Sequence, residues 1–194
     1  MTPEEIKTRH DQSVASYPGV NLTENEFVIA EVRRHPIGLL APFLSGILVI
    51  GIALGFLFNY PAIVTALNAG DKLPSFGVMI IPILLIVGLA ALFMYIAYYV
   101  YNRNYFILTN ECVIENMQYS LFSQREQTIS LGSVEDSSFT QDNILQYILN
   151  YGSIRLSTIG DEDTYRFQFV SDPKNELIVL SDAVEHFKNN RPVS

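Results

Sequence analysis

The alternation of apolar and polar positions divides the chain into unlike stretches. From Ile37 to Phe58, IGLLAPFLSGILVIGIALGFLF, and again from Phe76 to Val100, FGVMIIPILLIVGLAALFMYIAYYV, no residue is charged. As a helix the first run reaches about 33 Å, the depth of a hydrocarbon core, and the second is at least as long. Two such runs in a chain of 194 residues leave too little other sequence to cover them as a buried soluble hairpin. The pattern therefore predicts an N-terminal cytoplasmic segment 1–36, a transmembrane helix 37–58, an extracytoplasmic loop 59–75, a second transmembrane helix 76–100 and a cytoplasmic domain 101–194. A cleaved signal peptide does not fit, because the residues before the first run are largely polar and no small-residue cleavage site follows its apolar core closely.

Beyond Arg103 the period shortens from helical toward strand-like. Tyr105–Thr109 is β-branched and aromatic, Asn110-Glu111 is turn-like, and Cys112–Glu115 resumes an apolar run, which together read as a hairpin. Further strands are expected at 126–131, 134–140, 153–159 and 164–170, with Gly160-Asp161-Glu162-Asp163 closing the last hairpin. In DNILQYILNYG, Ile144, Leu145, Ile148 and Leu149 fall at helical spacing after a possible Asp142 cap, which fits a short helix or a turn-rich crossover. Asp172-Pro173 reads as a cap followed by proline at the first helical position. Leu177, Leu180, Val184 and Phe187 then share one helix face. The fold class expected is α+β: a two-helix transmembrane hairpin, then a β sandwich or partly open barrel with a C-terminal helix.

Charge adds a side to this picture. Mean hydropathy is +0.23 with 16% charged residues, apolar for a soluble protein, and most of the formal charge of −8 falls after residue 103, where 13 acidic residues face 6 basic ones. Arg33, Arg34 and His35 precede the first apolar run and Arg103 follows the second, whereas the intervening loop offers Lys72 beside Asp71. The positive-inside rule then sets a multi-pass topology in the cell (plasma) membrane with both termini cytoplasmic. Tyr98, Tyr99 and Tyr101 crowd the exit of the second run and read as an interfacial belt. Gly51 and Gly55 form a G-x-x-x-G step that would let another helix approach closely, either the second run or a second copy of the chain. Pro42 and Pro82 are candidate kink sites.

Several segments, in this order, carry a resemblance: two apolar runs, then Tyr105-Phe106-Ile107-Leu108-Thr109-Asn110, Ile129-Ser130-Leu131, Leu149-Asn150-Tyr151-Gly152 and Ser171-Asp172-Pro173, with E-F-V-I-A-E-V-R-R-H-P-I at 26–37 leading in. The chain resembles the bacterial pleckstrin-homology (PH)-like membrane proteins of the YdbS-like type, over most of its length from Glu26 to Phe187. The resemblance implies a PH-like domain. In it Tyr105, Thr109, Tyr151, Gly152, Asp172 and Pro173 act structurally, Gly152 supplying a positive-φ turn residue and Asp172 a helix cap.

Chemistry is sparse. His10, His35 and His186 lie far apart, there is no H-E-x-x-H or C-x-x-C, and no Gly-rich phosphate loop occurs. The lone Cys112 sits in an apolar strand and reads as core. Asp161-Glu162-Asp163 reads as a solvated turn rather than a cation site. No catalytic, cofactor or metal residues are assigned, and the expectation is a protein that is not an enzyme. Some PH domains hold lipid head groups with a basic loop, but the segment MQYSLFSQREQ has only Arg125, matched by Glu126. An acidic domain of this kind is repelled by anionic head groups and by nucleic acid. The function expected is a membrane-anchored interaction or scaffold module that presents an acidic β domain to a protein partner or to its own copy. A sensor of lipid or envelope state, with the helices sensing and the domain reporting, is the alternative.

Overall fold

The structure, a computed structural model, describes residues 2–68, 72–159 and 164–190. Twelve helices and strands follow in the order α1 (Pro3–Ser16), β1 (Val28–Arg33), α2 (Leu40–Ala66), α3 (Phe76–Asn102), β2 (Tyr105–Thr109), β3 (Cys112–Gln118), β4 (Gln124–Ser130), β5 (Val134–Thr140), α4 (Ile144–Ile148), β6 (Tyr151–Thr158), β7 (Thr164–Ser171) and α5 (Pro173–Asn190). The chain divides into two compact units, Met1–His35 with Asn102–Ser194, and Pro36–Tyr101. The amino-terminal stretch, which the sequence set apart as a segment of its own, thus belongs to the β body.

The body is α+β. One antiparallel sheet has the order β1-β2-β3-β4 and a second has the order β5-β6-β7. They meet at a bridge between Arg34 and Val170. Strand β1 pairs with β2 in the register Arg33 opposite Tyr105 and Val28 opposite Thr109, so the two connections to the apolar helices leave from the same end of the sheet. Between the sheets lie Val32, Phe106, Leu108, Val113, Ile129, Leu131, Ile154, Leu156, Phe167 and Val170. Helix α5 closes this core with Leu180 and Ala183 fully buried and Leu177, Val184 and Phe187 packed beside them, the face that its helical spacing required. The hairpin tip at residues 160–163 lies outside the described residues.

The amino-terminal helix α1 was not foreseen. Its start is a capping box: the Thr2 backbone N–H donates to Glu5 Oε2 at 2.9 Å, the Glu5 N–H donates to Thr2 Oγ1 at 3.4 Å, and Pro3 occupies the first turn. Ser13, buried on α1, accepts the Val28 N–H at 3.0 Å and so ties the helix to the start of β1.

In the second unit, α2 runs to Ala66, past Asn59 and through Pro61, where the sequence placed a loop. The Asn59 amide donates to the Gly55 carbonyl and the Thr65 hydroxyl to the Pro61 carbonyl, which serves backbone acceptors around the proline. Pro82 is interior to α3 as expected, whereas Pro42 falls in the first turn of α2, where a proline needs no kink. Both helices are long and apolar enough to cross a membrane, with mean hydropathies of 2.4 and 2.8 in their most apolar windows, and only 11% of each window is buried. The buried positions are Gly46, Ala53 and Tyr60 on α2 and Ile83 and Ala90 on α3, each set spaced by seven. A seven-residue step keeps one narrow seam in register along a helix.

Within the chain, the close approach expected at Gly51 and Gly55 is found elsewhere. A methyl group added at either would meet nothing within 4 Å, whereas one at Gly46 would lie 2.5 Å from the Met94 sulfur, and one at Gly38 would collide with the Tyr101 ring. The G-x-x-x-G step faces outward because the seam follows the heptad through Gly46, a quarter-turn or more away from Gly51 and Gly55.

Candidate functional site

The end of the body opposite the chain exits carries a groove of about 860 Å³. Its floor is the start of β1 and the β2–β3 turn, with Phe27, Ile29, Asn110 and Glu111, and its walls are α1 (Ile6, Arg9) and α5 (Val179, Asp182, Ala183, His186, Phe187). Apolar surface from Ile29, Val179 and Phe187 is ringed by charges of both signs, the composition of a surface that docks another polypeptide. Strand β1 is the edge of its sheet, so extended backbone along this floor is also within reach of strand addition.

A buried carboxylate that sequence reasoning missed supports that floor. Glu26 Oε1 accepts the Thr109 hydroxyl at 2.7 Å and the Cys112 thiol at 3.0 Å, while Oε2 accepts the Thr23 backbone N–H at 2.9 Å and the Thr23 hydroxyl at 3.0 Å. Burial alone raises a carboxyl pKa, but the donors from Cys112, Thr23 and Thr109 outweigh it and hold Glu26 below its usual range. The same contacts push the Cys112 thiol up to about 12, burial being the larger cause and the Glu26 carboxylate the next. A thiol held protonated in this way is a poor nucleophile, although Cys112 is only half-buried where the sequence reading expected core. Asn110 completes the junction by accepting the Phe27 N–H through Oδ1 at 2.8 Å. The sequence carried one signal for this arrangement, an acidic residue beside Phe27 in an otherwise apolar approach, and it was read only as part of the lead-in to the membrane.

At the exit end, Arg33 pairs with Glu31, Nε to Oε1 at 2.6 Å. Arg34 enters the second sheet opposite Val170, and His35 stacks on Tyr151 with ring centroids 5.3 Å apart. Tyr151 in turn stacks on Phe169, a residue at φ 59 where β7 bulges, whose carbonyl accepts the His35 N–H at 2.5 Å. Tyr98 is exposed on α3, while Tyr99 and Arg103 have partners of their own and Tyr101 lies against Gly38. Glu115, buried beneath this end, has its carboxyl pushed up to about 7 by burial, partly opposed by Arg34 and Arg125.

The residues of the resembling motifs are spread through the body and act as packing elements. Tyr105 opens β2, and Thr109 is fully buried on Glu26. The turn before β6 takes its positive φ at Asn150 rather than Gly152. Gly152 is instead needed for room, since a methyl there would sit 2.5 Å from the Thr140 carbonyl and 3.0 Å from Pro173. Asp172 lies at φ 46, outside the extended conformation of a side-chain cap, and its carbonyl accepts the Glu176 N–H as α5 begins with buried Pro173. Among the described residues no group of three His, Cys, Asp or Glu side chains is placed to hold a metal ion. The acidic triplet 161–163 falls outside them.

A four-stranded and a three-stranded antiparallel sheet closed by a carboxy-terminal helix have the layout of a PH-like domain. The bacterial PH domain family matches residues 36–185, and the chain belongs to that family. The match begins after β1, so α1 and β1 are parts of the body that lie outside the matched stretch. No curated protein matches the chain. Among solved structures it is similar to a DUF1696 family protein with a pleckstrin-homology domain from Shewanella loihica PV-4, at 10% identity and a TM-score of 0.36, over 42% of this chain and 71% of that one.

Proposed function

We propose that the protein is a non-catalytic, membrane-anchored interaction module: α2 and α3 cross the cell membrane as a hairpin, and the PH-like body on the cytoplasmic side docks a protein partner in the groove between β1, α1 and α5. One observation carries the anchoring. Sequence on both sides of the helical pair folds into a single sheet through the β1–β2 pairing, which requires an even number of crossings, while the side chains of the pair itself stay uncovered by protein. Basic Arg33, Arg34 and Arg103 at the two exits support the cytoplasmic side for that body. The groove lies at the far end of the body from those exits, and a partner confined to the same membrane meets it at raised effective concentration.

A photo-crosslinking residue in place of Ile29, on the groove floor, is expected to capture one protein in cells at near-stoichiometric yield, and Val179→Asp is expected to abolish that adduct. Equal capture from an exposed site outside the groove, such as Ser138, would refute the groove assignment. Extraction of the chain by buffer without detergent would refute the anchoring.

A further inference from the structure

Two tips of the body expose apolar side chains that no packing within the chain explains. The β3–β4 turn presents Tyr119, Leu121 and Phe122, the last 98% exposed, on a turn held by the Tyr119 and Ser120 N–H groups donating to the Ser123 carbonyl. Helix α4 presents Ile144, Tyr147 and Ile148 at 81%, 79% and 70% exposure. Neither tip carries a charge: the nearest are Arg125 and Asp142, beyond the run Tyr119–Gln124 and before the run Asn143–Asn150. In a domain this acidic, two uncharged tips rich in large aliphatic and aromatic residues are a marked departure.

Both tips adjoin the points where the chain leaves the body for the apolar helices. At the base of the first, the Gln118 N–H donates to Asn104 Oδ1 at 2.9 Å and the Asn104 amide returns a bond to the Gln118 carbonyl at 3.2 Å, which fixes the turn beside the residue two positions after α3 ends. At the second, Tyr151 follows the Leu149 cap of α4 by two residues, and its ring stacks on His35, the last residue before the other exit. The turn at the opposite end of β3, Asn110-Glu111, is polar. Apolar tips at the exits and a polar turn away from them form an axis that points at one solvent.

We infer that the β3–β4 turn and α4 insert into the interfacial zone of the bilayer, so that the body is seated on the membrane at both exits by Phe122, Leu121, Ile144, Tyr147 and Ile148. The inference rests on the anchored reading above and adds to it the lipid surface as a direct ligand of the body. The recognised chemistry is the boundary between head groups and acyl chains, where aromatic and aliphatic side chains partition without help from cations. Binding of this kind does not depend on anionic lipid, which suits a body that anionic head groups would repel. It also fixes the body's orientation and directs the groove away from the membrane.

The test uses the full chain in phosphatidylcholine nanodiscs, with Cys112→Ser as background and single cysteines bearing an environment-sensitive fluorophore at Phe122, Ile148, Glu111 and Leu48. Emission from Phe122→Cys and Ile148→Cys is expected to shift to the blue and to be quenched by nitroxide-bearing acyl chains. Emission from Glu111→Cys is expected to stay at its aqueous position unquenched. Replacing zwitterionic by anionic lipid or adding salt is expected to leave the quenching unchanged. If the two tip reporters behave like Glu111 while Leu48→Cys is quenched, the anchoring stands and the seating is overturned, with the tips left to a protein partner. If Leu48→Cys is not quenched either, both readings fall. Quenching that appears only with anionic lipid and disappears in salt would overturn the apolar mode of contact.

Discussion

Ile154 and Ile52 have the same side chain in opposite situations. Ile154, in the middle of β6, is completely buried between the two sheets, whereas Ile52, in the middle of α2, is 64% exposed. The contrast holds across their surroundings: the body buries Ile107, Leu108, Val113, Leu131 and Leu156 almost entirely, while the helical pair leaves Leu44, Ile47, Leu48, Ile81 and Leu85 uncovered. In water each buried aliphatic of the body contributes about 1.5–3 kcal/mol toward folding. The helical pair gains less in that way, because only Tyr60 and Ile83 among its buried positions are large, the others being Gly46, Ala53 and Ala90. The small residues in this seam let the two helices approach closely, while most of the large side chains face outward. One unit therefore buries its large apolar side chains and the other leaves most of them exposed, within one chain.

The largest test of that difference separates the two units. Arg33 and Tyr105 are paired neighbours, so a short glycine-containing turn joining Arg34 to Asn104 suffices to close the body without α2 and α3. The closed body is expected to be monodisperse without detergent and to melt cooperatively by circular dichroism. A fragment beginning at Asn104 lacks Phe27 and Val32 from the core and the Glu26 carboxylate that accepts from Thr109 and Cys112. Its loss is comparable to the whole stability of a domain, roughly 5–15 kcal/mol, and no cooperative melt is expected. Aggregation of the closed body, or equal stability of the two forms, would break the comparison.

Point substitutions sharpen it. Ile154→Ala in the closed body is expected to cost about 3 kcal/mol in chemical denaturation, the sum of lost transfer energy and a cavity between well-packed sheets. Ile52→Ala in the full chain, in detergent, is expected to change the thermal midpoint by an amount equivalent to less than about 0.5 kcal/mol, since the side chain touches no protein core. A cost at Ile52 as large as at Ile154 would mean that α2 is covered by protein.

The legibility of the sequence follows the same division. That the two charge-free runs form long helices could be read directly, although α2 continues to Ala66 through residues expected in a loop. The paired strands β2 to β7 were visible through β-branched alternation and turn residues, to within one to three residues at their ends. What was lost depended on long-range pairing. Nothing local to Val28–Arg33 shows that it is an edge strand of a sheet whose next strand begins some seventy residues later, across both helices. Glu26 looked like one more surface acid because its donors, Thr109 and Cys112, lie 83 and 86 positions away. Helix α1 was missed for a different reason, since its capping signal Thr2-Pro3-Glu4-Glu5 was present and was outweighed by a polar, weakly amphipathic body. In α4 the helix was legible but its exposure was not, because periodicity shows which residues share a face and not what that face meets.

Glu115 provides a test of the body that leaves the helices untouched. Its carboxyl titrates near 7 in the folded protein against 4.5 when exposed, through burial that Arg34 and Arg125 only partly offset. A carboxyl whose folded pKa is raised stabilises the fold fully below the unfolded value, and that contribution is lost as pH rises from 4.5 through about 7. Glu115→Gln is therefore expected to raise stability by roughly 2–3 kcal/mol at pH 8 and to leave it nearly unchanged at pH 4.5. Denaturation curves of parent and variant at the two pH values decide it. A gap that is independent of pH would show that Glu115 stays ionised and paired in the fold.

The smallest effect lies within the helical pair and depends on which of its glycines faces the seam. Gly46 packs on Met94, and the first contact of an added methyl is with the Met94 thioether, 2.5 Å away, a flexible group that can move at modest cost. Gly51 has nothing within 4 Å of the same added atom, and alanine is the better helix former. Gly46→Ala is expected to lower the detergent melting midpoint by an amount equivalent to about 1 kcal/mol, and Gly51→Ala to leave it unchanged or slightly raised. The reverse order would place the contact face of α2 on Gly51 and Gly55, where the G-x-x-x-G step alone would have put it, and the heptad seam through Gly46, Ala53 and Tyr60 would then lose its role.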